Sequence, residues 1–309
     1  MGLGLASCLL KAKQTVTIIA RPETARQLKS GGLTRRGIFG DFFAPAGSFA
    51  VESNLADIAA ESFDFVLVTT KSFDSEAAAG DIARYPALLK SNGKIVLCQN
   101  GWGNAEVFQA FFPTEKIFNA RVITGFTRPQ PAEVVITVHA EPVKIGNLFG
   151  ASSDAVVPLC GAITTGDLPC QATKEIGKDI WAKMLYNCAL NPLGAIFGVP
   201  YGQLADFPTA RRLMDTIIDE IFAVMTAAGY QTHWATPDEY RTVFYNQLVP
   251  ATKEHRSSTL QAIKAGKRAE VGALNGMVIR LAEKFDCPAP VNQTISLMVK
   301  FLEELNAKN

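Results

Sequence analysis

Short runs of aliphatic and β-branched residues alternate with amphipathic stretches through the first half of the chain. Val16–Ala20, Phe65–Thr70 and Lys94–Cys98 are each bounded by helix-compatible or turn-forming sequence, which predicts buried parallel strands. Between them the pattern predicts helices over Ser75–Leu89 and Asn104–Phe112, so strand and helix alternate in the βαβ manner of a doubly wound sheet. From Arg121 to Gly146 the periodicity changes to simple alternation, notably in Val134–His139 and Pro142–Gly146, which predicts an antiparallel edge closing the sheet. Leu168–Thr173 adds a last strand.

Beyond residue 173 the strand signal stops. Helical spacing runs through Ile180–Ala189, Ala210–Ala228, Pro237–Gln247, Leu260–Phe285 and Thr294–Leu305. The expected organisation is a Rossmann-like α/β domain over residues 1–172 and an all-α domain over 173–309. No flexible linker separates them, and a cleft between two packed domains is the natural place for a ligand.

The start of the chain breaks the expected order. Gly2, Gly4 and Ser7 imitate a dinucleotide-binding fingerprint, but that fingerprint must follow a strand and only Met1 precedes Gly2. The consistent reading makes Leu3–Ala12 the first helix and Gly2 the third fingerprint glycine, with the first strand and two phosphate-cradling glycines missing from the pattern. Arg21, directly after Val16–Ala20, stands where an acidic residue would hold the ribose hydroxyls of NAD. A guanidinium there suits a 2′-phosphate, although a surface arginine after a strand is equally ordinary. Arg26 and Lys29 lie nearby on a solvated helix face.

Composition narrows the function. Thirty basic against 29 acidic side chains leave a net charge of +1, which recruits neither nucleic acid nor anionic lipid. Six dispersed cysteines and three histidines form no metal-ligand spacing, so no metal site is expected, and they point to a reducing compartment, the cytoplasm by default. No apolar run reaches the roughly 18 residues of a spanning helix. His139 and His233 read as structural or surface residues.

The strongest chemical signal lies at the head of the second half. Lys183, Asn187 and Asn191 are spaced by four, so on a helix each step drifts by about 40° and all three share one stripe. Their neighbours Ile180, Trp181, Met184, Leu185 and Leu190 are apolar. Convergence on a polar ligand explains such a stripe more simply than a snorkelling lysine and two loop-capping asparagines. Pro192 lacks an amide hydrogen and predicts a kink or terminus beside Asn191.

Several motifs together resemble the ketopantoate reductase family over nearly the whole chain. Val16–Arg21 looks like that family's second strand with its NADP-selecting arginine, and Asp64–Lys71 like its third strand segment, which puts Lys71 at a cofactor position. Gln99–Gly103 resembles the Gln-Asn-Gly-x-Gly loop, giving Asn100 a place near nicotinamide and substrate. Trp181–Leu193 is the most specific match and carries the family's lysine and two asparagines as Lys183, Asn187 and Asn191. His255–Gln261, Gly266–Glu270, Asn275-Gly276 and Pro288–Asn292 resemble the substrate serine, acidic residue and closing motif, which assigns Ser258 and Glu270. Two departures stand out: His255 replaces an asparagine, and Gly272 an often acidic residue.

The resemblance implies NADPH-dependent reduction of 2-dehydropantoate, or of a related 2-oxo acid, as in pantothenate biosynthesis. Lys183 would then be the general acid, stabilising and protonating the developing alkoxide. Glu270 would pair with that ammonium or accept from a substrate hydroxyl, and Ser258, Asn187 and Asn191 would hold substrate oxygens. Taken alone, Glu270 reads as a solvated ion pair and Ser258 as a helix cap. Ser258 and Glu270 converge only if the helix between them breaks, for which Gly266 is the candidate. Two alternatives stay open: a 3-hydroxy-acid dehydrogenase relative, and a non-catalytic truncated paralogue. The expected partner is a small-molecule 2-oxo acid, with no nucleic acid or membrane; a homodimer is left open.

Overall fold

The structure, a computed structural model, describes residues 1–307. Its nine strands are β1 (Thr17–Ile19), β2 (Leu33–Gly37), β3 (Phe42–Ala44), β4 (Ala50–Glu52), β5 (Phe63–Val68), β6 (Leu89–Leu97), β7 (Ile117–Thr127), β8 (Glu133–Gly146) and β9 (Cys170–Ala172). The first five helices are α1 (Gly2–Lys11), α2 (Pro22–Gly31), α3 (Ser75–Ala83), α4 (Asn104–Gln109) and α5 (Val157–Thr165). Eight more follow: α6 (Ile176–Phe197), α7 (Tyr201–Asp206), α8 (Pro208–Ala227), α9 (Pro237–Val243), α10 (Val249–Ala251), α11 (Ser258–Lys264), α12 (Asn275–Lys284) and α13 (Pro290–Ala307). Two compact units result. One holds Met1–Thr70, Asp74–Gln99 and Asn104–Ile176; the other holds Lys71–Phe73, Asn100–Gly103 and Gly177–Asn309.

The first unit is a layered α/β body. Its main sheet runs β3-β2-β8-β7-β6-β5 with β9 beside β8, while β1 and β4 form a separate parallel pair. Strand alternation explains the layers. Phe65 and Leu67 pack with Leu5, Cys8 and Leu9 of α1 and with Leu159 and Ile163 of α5. Val66 and Val68 pack on the opposite side with Ala79 and Ile82 of α3 and Phe108 of α4.

The alternating 121–146 region is the antiparallel β7–β8 pair, but it is not an edge. β8 also pairs in parallel with β2 and β9, which places it inside the sheet. Sequence reading missed β2, β3 and β4, and β2 was hidden because its buried centre is a charge. Arg35 is fully buried, with Nη1 donating to the carbonyl of Gly166 at 2.7 Å and Nη2 paired to Asp167. Hydrophobic periodicity does not register a strand whose inward position is an ion-paired arginine.

The second unit is helical and built around α6, whose Trp181, Met184, Leu185, Cys188, Ala189, Leu190 and Leu193 are all buried. Of the kink or terminus expected at Pro192, the structure excludes the terminus, since α6 continues through it to Phe197. A proline cannot donate to the carbonyl four residues earlier, which is that of Cys188. Asn275 Nδ2 donates to that carbonyl at 3.1 Å and also to Asn292 Oδ1 at 3.0 Å. Asn292 Nδ2 in turn donates to Glu220 Oε2 at 2.7 Å, and Glu220 accepts the Val291 and Asn292 amides at the start of α13. The Asn275-Gly276 and Pro288–Asn292 motifs are therefore framework, tying α6, α8, α12 and α13 through one buried polar network. Replacing Asn275 with Ala leaves the Cys188 carbonyl buried without a donor, and urea unfolding is expected to show a loss of about 1–3 kcal/mol. Unchanged stability would contradict this reading of Pro192.

The long helix expected over Leu260–Phe285 is broken into α11, a 3₁₀ turn at Val271–Ala273, and α12. The break starts where it was anticipated, at Gly266, whose φ of 61° lies in the left-handed region that glycine adopts without strain. Pro237–Gln247 likewise divides into α9 and a π-helical segment, Phe244–Leu248. No helix of the described residues is long and apolar enough to cross a membrane.

Candidate active site

Within the second unit, three segments far apart in sequence meet at one carboxylate. Glu270 precedes the 3₁₀ turn Val271–Ala273, and its side chain is only 8% exposed. Glu270 Oε2 accepts from Lys71 Nζ at 2.7 Å and from Asn100 Nδ2 at 3.3 Å. The Ser72 amide lies 3.5 Å from Oε1. The other face of the Asn100 amide is engaged as well, because Oδ1 accepts from Lys183 Nζ at 2.7 Å. An amide has a donor end and an acceptor end, so a carboxylate on one side and an ammonium on the other fix its orientation. Glu270 does not pair directly with Lys183; Asn100 connects them.

The loop that carries Asn100 is shaped by its glycines. Gly101 has φ 90°, and a Cβ there would lie 2.2 Å from the carbonyl oxygen of Ala273. The close approach seats the loop on the turn that follows Glu270, and the Trp102 amide donates to the same Ala273 oxygen at 3.3 Å. The Trp102 ring is buried against Trp181 and Tyr230, with centroids at 5.1 and 4.7 Å. Trp181 lies half a turn before Lys183 on α6, so one aromatic cluster anchors both the loop and the lysine-bearing helix. Sequence reading did not assign Trp102 this role.

The remaining helix stripe is divided between tasks. Asn187 is partly buried and its side chain has no hydrogen-bond partner among the described residues. Asn191 is 5% exposed and accepts through Oδ1 from the Tyr201 hydroxyl, which places it in the framework. Ser258 is exposed at the first position of α11 and is not the cap. Ser257 is, its Oγ accepting from the Leu260 amide at 3.0 Å. The Lys71–Glu270–Asn100–Lys183 cluster thus holds two ammonium groups and a carboxylate around one oriented amide.

The first unit holds a second cationic group. Arg21 lies at the end of β1 and caps the start of α2, where helix amides favour an anion. Arg128, which follows β7, donates to Thr24 Oγ1 and to the Pro131 carbonyl. Burial, and then the charge of Arg21, lower the pKa of Arg128. Neither guanidinium has a carboxylate partner among the described residues. Arg26 and Lys29, by contrast, are paired to Glu23 and Glu52. Arg128 was not anticipated, since nothing in its local sequence marks it. Gly2 opens α1 beside the end of β5, where a Cβ would lie 2.6 Å from Thr69 Oγ1.

Comparison with known proteins covers both units. The family model described as Ketopantoate reductase PanE/ApbA matches residues 1–150, and that described as Ketopantoate reductase PanE/ApbA C terminal matches residues 175–303. The chain is 35% identical over 291 residues to the 2-dehydropantoate 2-reductase of Aquifex aeolicus (strain VF5), covering 91% of each chain. It resembles the crystal structure of a PanE/ApbA family ketopantoate reductase from Ralstonia eutropha JMP134, with a TM-score of 0.82 at 25% identity, covering 98% of this chain and 95% of that one. The ternary structure of D-mandelate dehydrogenase with NADH and anilino(oxo)acetate shares the fold, with a TM-score of 0.83 at 21% identity and the same coverage.

Proposed function

The chain belongs to the ketopantoate reductase family, and from that premise we propose that it reduces the 2-oxo group of 2-dehydropantoate to the alcohol of pantoate with NADPH. The observation that carries this reading is the hydrogen-bonded sequence Lys183–Asn100–Glu270, which presents an oriented ammonium.

The cofactor supplies a hydride to the carbonyl carbon when bound. The chain's own residues handle charge and protons. As negative charge develops on the carbonyl oxygen, Lys183 Nζ stabilises it and delivers a proton to that atom. Asn100 holds the ammonium in place through Oδ1, and Glu270 keeps the Asn100 amide from turning over. Asn187, one helical turn from Lys183 with an unpartnered amide, is placed to bind a substrate oxygen, and Ser258 is the further substrate contact. Lys71, half exposed and paired with Glu270, would serve the cofactor side by offering positive charge to a bound nucleotide.

For the cofactor, the fit rests on Arg21 and Arg128, two close guanidiniums without a counter-charge at the start of α2. They fit the 2′-phosphate of NADPH, and Gly2 fits a close approach of α1 to the dinucleotide. Replacing Arg21 with Ala is expected to weaken NADPH binding about tenfold or more, as for loss of a charge-assisted phosphate contact, and to change NADH binding less than about threefold. Calorimetry with both nucleotides checks this; equal losses for the two would remove Arg21 from the phosphate site. The six cysteines are free thiols, which suits a reducing compartment such as the cytoplasm, and the product fits a role in pantothenate biosynthesis.

The direct test is loss of NADPH absorbance with 2-dehydropantoate, set beside the 2-oxo acid of mandelate and a panel of 3-hydroxy acids with NADP⁺. Preferential turnover of 2-dehydropantoate is expected. Turnover confined to 3-hydroxy acids, or none with any substrate despite nucleotide binding, would overturn the proposal.

A further inference from the structure

The polar stripe of α6 starts one turn before Lys183. Asp179 precedes the lysine by four residues on an unbroken helix, so it shares the face that carries Lys183 and Asn187. Its side chain is only 2% exposed. A carboxylate so far from water must be met by donors, and His233 supplies one, with Nε2 lying 2.9 Å from Asp179 Oδ1. An ionised carboxylate only accepts, so the imidazole carries a hydrogen on Nε2 and donates it.

His233 belongs to the loop between α8 and α9, and that loop grips α6 a second time. Tyr230 stacks on Trp181 with ring centroids 5.5 Å apart and meets Trp102 at 4.7 Å. Trp234, next to His233, packs on the buried Tyr240 of α9 at 4.8 Å. The segment that carries His233 is thus anchored on both sides, which fixes the imidazole against the turn before the lysine. Asp179 also lies in the first turn of α6, where helix amides favour an acid. An exposed carboxylate serves that purpose equally well, and neither burial nor a histidine partner is needed for it.

Side chains four apart on a helix are neighbours, with Cβ atoms about 5–6 Å apart, and an acid placed before a lysine is the favourable order. Burial leaves the attraction little screened by salt. We propose that Asp179, oriented by His233, is a positioning residue for Lys183, its buried charge keeping the amine protonated beside Asn100. For its consequence the inference rests on the reductase reading, since an amine must carry a proton before it can deliver one.

The test compares the parent with Asp179→Asn, which keeps the shape and an oxygen for His233 but removes the charge. Each protein, without nucleotide, is treated with trace acetic anhydride at about pH 8, and acetylation of Lys183 is read by peptide mass spectrometry against the exposed Lys300. Labelling of Lys183 is expected to be about threefold faster or more in Asp179→Asn, because more of the amine is unprotonated. In 2-dehydropantoate reduction kcat is expected to fall about tenfold, with KM and NADPH affinity within about threefold of the parent. His233→Ala should shift both readouts the same way, and His233→Gln, whose amide nitrogen can replace Nε2 as donor, should bring them back toward the parent. Unchanged labelling in Asp179→Asn would overturn the inference whether or not the chain is a reductase. Faster labelling with unchanged kcat would overturn it as well. Faster labelling in a chain that reduces no 2-oxo acid would leave the charge effect standing and count against the proposed function instead.

Discussion

Replacing Lys183 with Ala is expected to lower kcat by a factor on the order of 100 or more while leaving NADPH affinity within about threefold of the parent. The asymmetry follows from position. Lys183 is in the helical unit and hydrogen-bonds to Asn100, whereas the proposed phosphate-binding arginines belong to the other unit. A group that acts only as charge builds on the carbonyl oxygen contributes to the transition state and little to nucleotide binding. Lys183 is partly buried on a helix whose core contacts come from its neighbours, so the truncation should cost little stability. Steady-state kinetics with a parallel NADPH titration and thermal melt check all three statements. Wild-type kcat in the variant would remove Lys183 from the mechanism, and a matching loss of NADPH affinity would recast it as a binding residue.

Glu270 should show a graded response that a merely structural carboxylate would not. Glu270→Gln keeps the volume but offers an amide that can either donate or accept, so the Asn100 amide loses its preferred orientation; kcat is expected to fall about tenfold. Glu270→Ala removes the partner altogether and is expected to cost about 100-fold, again in kcat more than in NADPH affinity. Because Lys71 is 54% exposed, its lost ion pair contributes little to stability. Fully active Gln and Ala variants would show that the orientation of Asn100 does not matter to turnover.

Much of the site was legible because its chemistry is written at helical spacing. Lys183, Asn187 and Asn191 are polar residues repeating every four positions along an otherwise apolar segment, and α6 is unbroken across them. The partnership between Asn100 and Glu270 was not legible as a contact, since 170 residues separate them and only the folded chain shows that a glycine seats one loop on the other. At Pro192 the terminus alternative failed for a related reason. Local chemistry predicts an interruption, and the remedy is an asparagine 87 residues from the carbonyl it serves. The cap reading of Ser258 fell to its neighbour because Ser257 and Ser258 are equally good caps by composition, and only backbone geometry selects Ser257. The strands Val16–Ala20, Phe65–Thr70 and Lys94–Cys98 announced themselves by β-branched runs, whereas β2 concealed itself behind Arg35.

The account's central claim is that the Lys183 ammonium meets the oxygen of the reacting carbonyl. A crystal structure of the protein with NADP⁺ and pantoate measures this directly, as the distance from Lys183 Nζ to the pantoate 2-hydroxyl oxygen. The account expects direct hydrogen-bond contact, at about 2.6–3.2 Å, with Asn100 Oδ1 still accepting from the same nitrogen. A pantoate hydroxyl bound elsewhere, with neither Lys183 nor a single bridging water in contact, would contradict it.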